Sequence, residues 1–243
     1  MTTASQVLDQ DAWKKFWRRL GTTADKVRVT LECELSGKEL TDSDCEMIAH
    51  AITSGAINKT LPTLLLGYNK FTETGLATLT AQFERGHLAF LSDLSLKCNA
   101  LGDGGIRVLA TALKKGALPR LHTLNCYATR MTDDGVSALV EAIKEGALKH
   151  LEELHLDSNL IGDAGVVMLA EVMQAGYLED LQLLHLMSNT QLGDAGLSAL
   201  ANALSAGALP TLEKLGVQNN SASSDGKEAL QRACKDRELK LRI

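Results

Sequence analysis

Residues 151–178 read LEELHLDSNLIGDAGVVMLAEVMQAGYL, and this stretch decides the fold because its hydrophobic pattern changes halfway along. Leu154 and Leu156 alternate with polar residues, so one face of a short strand is predicted to point inward. After Asn159 the spacing lengthens: in the equivalent segment 135–143, apolar residues stand at 136, 139, 140 and 143, on one face of a helix. Each such stretch therefore encodes a strand followed by a helix.

The same unit recurs along most of the chain. With Leu154 as the marker, the equivalent residues are Cys33, Leu64, Leu94, Leu124, Leu184 and Leu215. Successive markers are 30 or 31 residues apart. A fixed period of this length is the signature of a repeat architecture.

Further columns of the repeat mark its turns. An asparagine follows most strands and can bond the backbone where the chain turns, at Asn69, Asn99, Asn159, Asn189 and Asn220. An acid stands at each helix start, where we expect an N-cap, at Asp42, Glu73, Asp103, Asp133, Asp163 and Asp194. A glycine suited to a left-handed backbone ends each helix, at Gly55, Gly86, Gly116, Gly146, Gly176 and Gly207. A second glycine column, at positions 75, 105, 135, 165, 196 and 226, lies in the first helical turn.

This pattern resembles the leucine-rich repeat family, in particular its long, helix-containing subtype typified by ribonuclease inhibitor. The resemblance covers residues 27–243, where L-x-x-L-x-L-x-x-N-x-L recurs with a D-x-G-x-x-x-L-A helix start. It implies an α/β fold: a curved, horseshoe-like solenoid of about 7–8 repeats, with parallel strands on the concave face and helices on the convex face. Lys38 and Thr129 depart from the asparagine column, and Ala222 and Lys227 occupy apolar columns. Because Thr129 is internal, we expect a locally altered turn there.

Residues 1–26 are predicted to form an amphipathic helix that caps the solenoid. Trp13, Phe16, Trp17 and Leu20 share one helical stripe, with lysines and arginines opposite. The alternative is a basic and aromatic helix that contacts a membrane surface or makes a second partner contact. At the other end, Leu239, Leu241 and Ile243 alternate, which predicts a terminal edge strand.

Charge and cysteine content limit the possible functions. Residues 1–26 carry a net charge of +2 and residues 227–243 one of +3, so with −5 overall the segment between them carries −10. This distribution argues against nucleic acid as the ligand and favours a basic partner. The sequence contains no apolar run long enough to span a membrane and no secretory signal at its start. Its five cysteines form no zinc motif, so we expect free thiols and a cytoplasmic location.

In such a solenoid the variable positions on the concave strands are the expected binding surface. Equivalent positions on adjacent strands lie about 4.8 Å apart. Tyrosine, methionine and a few charges form the kind of mixed surface that anchors a protein partner. The candidate partner-binding residues are Lys97, Asn125, Tyr127, Glu153, His155, Asp157, His185 and Met187.

No catalytic residue, cofactor or metal is expected. His155 and His185, with Asp157 nearby, could share a zinc ion, but a third ligand and a second shell are not evident from the sequence. Catalysis by the same residues would need a nucleophile beside a histidine, and Ser95 lies two strands away. The segment LGDGG at 101–105 resembles a dinucleotide loop, but Arg107 replaces its last glycine.

These observations predict a non-enzymatic protein–protein interaction module, either an adaptor or an assembly subunit. Two alternatives share the repeat type. One is a regulator of a small GTPase, similar to the Ran GTPase-activating proteins, although those have longer solenoids and acidic tails. The other is a relative of the sensor solenoid of NLR-type immune receptors, although this chain contains no P-loop.

Overall fold

The computed structural model describes residues 10–243, which form one parallel sheet with helices packed along one side of it. The strands are β1 (Glu32–Glu34), β2 (Thr63–Leu65), β3 (Asp93–Ser95), β4 (Thr123–Asn125), β5 (Glu153–His155), β6 (Leu183–His185), β7 (Lys214–Gly216) and β8 (Lys240–Arg242). The helices are α1 (Gln10–Arg19), α2 (Ala24–Arg28), α3 (Asp42–Ser54), α4 (Glu73–Glu84), α5 (Gly102–Lys114), α6 (Asp133–Lys144), α7 (Asp163–Gln174), α8 (Asp194–Ser205) and α9 (Ser224–Lys235).

The strands pair in chain order, each parallel to the next. The marker residues are in register, with Leu124 opposite Leu154 and Leu154 opposite Leu184, and both neighbours of Leu154 are fully buried. Strands stack about 4.8 Å apart whereas packed helices need 8–10 Å, so the stack curves with the strands on its inner side. The predicted α/β repeat solenoid is confirmed, including the terminal strand β8.

The asparagine column bonds neighbouring turns to each other. Asn159 donates from Nδ2 to the carbonyls of Cys126 at 2.8 Å and Leu156 at 3.0 Å. Its Oδ1 accepts the backbone N–H groups of Thr129 and Met131, both at 3.0 Å. Each asparagine therefore satisfies buried backbone groups in its own repeat and in the one before it. The other asparagines of the column likewise donate from Nδ2 to one carbonyl in their own repeat and one in the repeat before it; they are Asn69, Asn99, Asn189 and Asn220.

Thr129 changes the turn, as its departure from the column suggested. Its hydroxyl donates to the carbonyl of Cys126, in its own repeat, at 3.0 Å. The residues on both sides, Ala128 and Arg130, have left-handed backbones, with φ values of 53° and 66°. In the asparagine-bearing turns, the residue after the asparagine does not adopt this conformation. The shorter side chain is thus accompanied by a different path of the backbone.

The prediction that each acid caps its own helix was wrong. Asp103 is the second residue of α5, and its carboxylate bonds the start of α6: Oδ1 accepts the N–H groups of Thr132 at 2.8 Å and Gly135 at 3.0 Å. Side chains point toward the N-terminus of their helix, so a carboxylate in the first turn can extend past its own N–H groups. Asp42, Asp163 and Asp194 reach the next helix in the same way. Several helices take their own N-cap from the preceding residue, for example Thr132.

This carboxylate explains the glycine of the first helical turn. A Cβ atom at Gly135 would lie 2.6 Å from Oδ1 of Asp103 and 2.6 Å from Cγ of Met131. The helix-ending glycines have a different reason: Gly146 has a φ of 89° with open space around it, so its backbone conformation alone requires glycine.

Gly135→Ala is expected to destabilise the protein by about 1–2 kcal/mol, because the added methyl displaces the Asp103 carboxylate from its hydrogen bonds. Alanine is otherwise the better helix former by about 1 kcal/mol, so the direction of the effect is informative. Urea unfolding followed by circular dichroism measures it. Ser137→Ala, on the same helix, is the control and should be neutral or stabilising. A Gly135→Ala variant more stable than wild type would contradict this account of the column.

The N-terminal helix packs against the first repeat. Phe16, Trp17 and Leu20 are buried, and the ring of Trp13 lies edge-on to His50 of α3, with centroids 5.1 Å apart. Arg19 pairs with Asp44 of α3. The aromatic stripe therefore faces the protein, whereas the lysines on the opposite side are exposed. Residues 1–9 of the predicted helical segment lie outside the described residues, and a domain boundary at residue 26 stays a prediction.

Asp44 completes the start of α3 and joins it to α1. Its Oδ2 accepts the N–H of Thr41 at 2.9 Å. Burial alone would raise the pKa of Asp44, but the hydrogen bond from Thr41 and the Arg19 guanidinium outweigh it and lower that pKa. A carboxyl whose pKa is lowered by folding stabilises the protein above its unfolded pKa of about 4 and loses this contribution as pH falls through the folded value.

Asp44→Ala is therefore expected to cost about 1–2 kcal/mol of unfolding free energy at pH 7, and less in acid. Urea titrations at a series of pH values between about 7 and 3 would measure the difference from wild type. Asp134→Ala removes an exposed aspartate from the first turn of α6 and serves as the control. A loss that stays constant, or grows, as pH falls would contradict the role given to the ionised carboxylate.

Candidate functional site

The eight predicted partner-binding residues lie together on the concave face, on and just after β3 to β6. Asn125, His155 and His185 are directly opposite one another in neighbouring strands. The next row lies just beyond the ends of the strands, where backbone hydrogen bonds still join neighbouring repeats. For example, the N–H of Ala128, the residue after Tyr127, donates to the carbonyl of Asp157 at 2.9 Å. That row contains Lys97, Tyr127, Asp157 and Met187, and Glu153 lies at the start of β5. We call these eight residues the concave patch.

Seven of these residues are half-buried, and one is not at the surface. Asp157 is only 4% exposed, so it is part of the floor of the concave patch and does not offer a contact area comparable to that of Tyr127 or Met187. Its Oδ1 accepts the backbone N–H of Met187 at 3.2 Å. The sequence could place Asp157 in the correct row but could not show that the next strand would cover it.

Asp157 lies beside the two histidines of the concave patch. Its Oδ2 is 3.8 Å from Nδ1 of His185, and the rings of His155 and His185 meet edge-on with centroids 5.1 Å apart. Glu153 Oε2 lies 3.3 Å from Nε2 of His155. Burial raises the pKa of Asp157 despite the neighbouring His185, and burial lowers the pKa of His185 despite the neighbouring Asp157. The geometry therefore brings one carboxylate and two imidazoles to a common point, which we call the His–Asp–His cluster.

Tyr68 extends the concave patch and was missed by the sequence analysis. It is 56% exposed, and the ammonium of Lys97 lies 5.2 Å from the centre of its ring. Gly67 makes room for this contact, because a Cβ there would lie 2.7 Å from Cγ of Lys97. The neighbouring thiol of Cys98, which also hydrogen-bonds the phenol, raises the pKa of Tyr68. The sequence contained one signal for this position: Tyr68 directly precedes Asn69, just as Cys98 at the concave rim directly precedes Asn99 in the next repeat.

Basic residues surround the other end of the concave patch. Lys214, Lys240 and Arg242 line a hollow of about 220 Å³ beside His185. The opposite end of the sheet is acidic, with Glu32 and Glu34 exposed on β1. The concave face thus changes from negative at β1 to positive at β7 and β8, which the net charge of the middle segment did not reveal.

A larger groove lies on the convex side, between α4 and α5. It has a volume of about 900 Å³, is wide open, and is lined by small or short side chains such as Ala77, Thr78 and Ala81 facing Val108 and Thr111. It contains no cluster of rings or histidines comparable to that of the concave patch. The groove is nevertheless the clearest rival surface for a partner, and the experiments below include it.

The five cysteines divide into four buried residues and one that is partly exposed. Cys33, Cys45, Cys126 and Cys234 are buried, and Cys98 is half-buried at the concave rim. Burial raises the pKa of Cys33 and of Cys126 to about 12, which keeps both thiols protonated. All five thiols are free in the structure.

A comparison with family models agrees with the repeat. The family model described as Leucine Rich repeat matches residues 87–110, 147–170 and 178–201, and each match runs from the end of one helix through a strand into the next helix. Among solved structures, the chain is similar to an internalin (inlF) from Listeria monocytogenes, at 14% identity and a TM-score of 0.27, over 96% of this chain and 88% of that one. So distant a likeness has no bearing on function. A search among curated proteins finds no match.

The parallel sheet, the asparagine column and the three matched segments together define a leucine-rich repeat fold. Proteins of this fold are generally protein–protein interaction modules. Within residues 10–243, no helix is both long and apolar enough to cross a lipid bilayer.

Proposed function

We propose that this chain is a non-enzymatic interaction module of the ribonuclease-inhibitor-like subtype that binds a protein partner through the concave patch. The observation that carries the proposal is a pair of adjacent rows on the concave face, one containing Tyr127 and Met187 and the other His155 and His185, all half-buried. Tyrosine is enriched at binding hot spots, and methionine packs adaptably at interfaces.

The scaffold behind the concave patch is rigid, which favours tight binding. Each strand is paired on both sides from β2 to β7, and the asparagine column fixes the turns that follow the strands. Side chains mounted on such a frame lose little freedom when a partner docks, so a larger share of the contact energy appears as affinity. Loops with the same residues would bind more weakly.

The charge gradient suggests how the partner is oriented. A basic segment of the partner would face Glu32 and Glu34, and an acidic segment would face Lys214, Lys240 and Arg242. Complementary charges of this kind mainly raise the association rate, and salt weakens them. This refines the expectation of a simply basic partner.

The N-terminal helix offers a second, weaker contact. Lys14, Lys15 and Arg18 are exposed on its outer side, whereas its aromatic residues pack inward. Such a surface can attract an acidic partner but has no apolar face free to enter a membrane. Capping of the first repeat is thus its main proposed role. The five free thiols are consistent with a cytoplasmic location.

Two bulky substitutions test which face binds. Asn125→Trp places a large ring in the centre of the concave patch, and Thr111→Trp fills the convex groove between α4 and α5. Both residues are on the surface, so both variants should fold, which circular dichroism checks. The tagged full chain and both variants are used to capture proteins from cells of the source organism, and the captured proteins are quantified by mass spectrometry.

A specific partner that is lost with Asn125→Trp and retained with Thr111→Trp supports the concave patch. The reverse result assigns binding to the convex groove and contradicts the proposal. Within the described residues, no specific observation favours GTPase regulation or an immune-sensor role, and both stay predictions.

A further inference from the structure

We propose that His155, Asp157 and His185 bind a single divalent transition-metal ion of the zinc class on the concave face. The inference does not rest on the proposed function, because it concerns the chain alone and is tested without a partner. It reverses the expectation from the sequence, which found no third ligand for the two histidines.

The first argument is convergence. One ligating atom from each of the three residues lies within 4.8 Å of the other two. In a tetrahedral zinc site with bonds of about 2.0–2.1 Å, neighbouring ligand atoms are about 3.3 Å apart. Oδ2 of Asp157 and Nδ1 of His185 are already 3.8 Å apart, so small rotations of side chains on fixed strands would close the site.

The second argument is the buried carboxylate. The side chain of Asp157 is only 5% exposed, and its Oδ1 already accepts the N–H of Met187. Its Oδ2 faces the imidazole of His185, where a bound cation would supply the positive charge that a buried carboxylate needs.

The third argument is the surrounding shell. Glu153 Oε2 is 3.3 Å from Nε2 of His155, the kind of carboxylate–histidine contact that orients metal ligands. Gly216 lets His185 and Met187 pack close to the next strand, because a Cβ there would lie 3.1 Å from Cδ2 of His185 and from Cγ of Met187. The side chains of His155 and His185 remain 19% and 18% exposed, so a water molecule or a side chain of a partner could complete the coordination.

The ligand types indicate which ions fit. Two imidazoles and one carboxylate suit zinc, iron(II), cobalt(II) and nickel(II), whereas calcium and magnesium prefer all-oxygen sites. Arg242 contributes an opposing charge near His185, and Glu153 and Asp157 contribute favourable ones. Asp157 and Glu153 are thus the groups that favour a dication, and the basic residues of the neighbouring hollow, Lys214, Lys240 and Arg242, oppose it.

The test uses the purified full chain, stripped with a chelator and titrated with zinc in competition with a chromophoric chelator. Cobalt(II) serves as a spectroscopic probe of coordination. We expect one ion per chain, His185→Ala to weaken zinc binding by about 100-fold, and Glu153→Gln by about 10-fold. Asp157→Asn, which keeps the shape of the side chain, should weaken it as His185→Ala does.

His150→Ala is the matched control, because His150 also pairs with a carboxylate, Nδ1 to Oδ2 of Asp180 at 3.3 Å, but lies on an exposed loop away from the cluster. Its zinc affinity should equal that of wild type. Thermal unfolding in chelator establishes that each variant is folded. Failure of folded wild type to bind zinc stoichiometrically, binding unaffected by His185→Ala, or a cobalt spectrum with a thiolate charge-transfer band would each overturn the proposal.

Discussion

Asn159→Ala is expected to lower the free energy of unfolding by about 3–5 kcal/mol, a large effect for a single polar residue. The side chain is 4% exposed and makes hydrogen bonds in two successive repeats. Its removal leaves the N–H groups of Thr129 and Met131 without an acceptor in the protein interior. A buried polar group left unpaired costs about 1–3 kcal/mol, and at least two are created here.

Chemical unfolding followed by circular dichroism measures the loss. Asn202→Ala is the matched control, because Asn202 is exposed on α8, and we expect it to change stability by no more than about 0.5 kcal/mol. An Asn159→Ala variant within about 1 kcal/mol of wild type would show that the column is not what joins the turns.

The second large effect concerns binding. Tyr127→Ala combined with Met187→Ala is expected to weaken the affinity for the captured partner by about 100- to 1,000-fold, because central aromatic and methionine contacts dominate an interface. Both residues are half-buried, and neither side chain makes a hydrogen bond that the fold depends on, so stability should change little. Asp157 is unsuitable for this purpose because it is buried.

Isothermal titration or surface plasmon resonance with the purified partner gives the affinity. Tyr177→Ala with Met168→Ala, a tyrosine and a methionine on the helix side of the neighbouring repeat, is the control pair and should bind as wild type. Full affinity in the Tyr127→Ala, Met187→Ala double variant would contradict the role of the concave patch.

The sequence predicted the repeat well because the repeat is enforced by local chemistry. Leucines alternate around each marker, the asparagine that follows has backbone partners at a fixed distance, and Gly146 and its equivalents need a left-handed backbone. These causes act within one unit and recur, so they can be seen in a single sequence.

Relations between units were harder to predict. That Asp103 bonds the start of α6 depends on the spacing of adjacent helices, and the sequence indicated only that an acid stands at a helix start. The burial of Asp157 and the contact of its carboxylate with His185 likewise arise only when β5 and β6 lie side by side. The sequence analysis named Asp157 beside the two histidines, but only the pairing of β5 with β6 shows that its carboxylate meets His185.

Tyr68 shows the same limit at the surface. The exposure of Tyr68 and its contact with Lys97 depend on the preceding residue, Gly67, and on the register between two neighbouring turns. Alignment of columns could place Tyr68 beside Cys98, but not show that its ring would stand open to solvent.

The most direct test of the central claim is site-specific photo-crosslinking. A photoreactive amino acid is placed at Tyr127 on the concave face or at Thr111 in the convex groove, and adducts formed in source cells are identified by mass spectrometry. The account predicts a specific adduct from position 127, competed away by the unlabelled wild-type chain and not by its Tyr127→Ala, Met187→Ala variant, with none from position 111. A competed adduct from position 111 alone, or none from position 127, would contradict it.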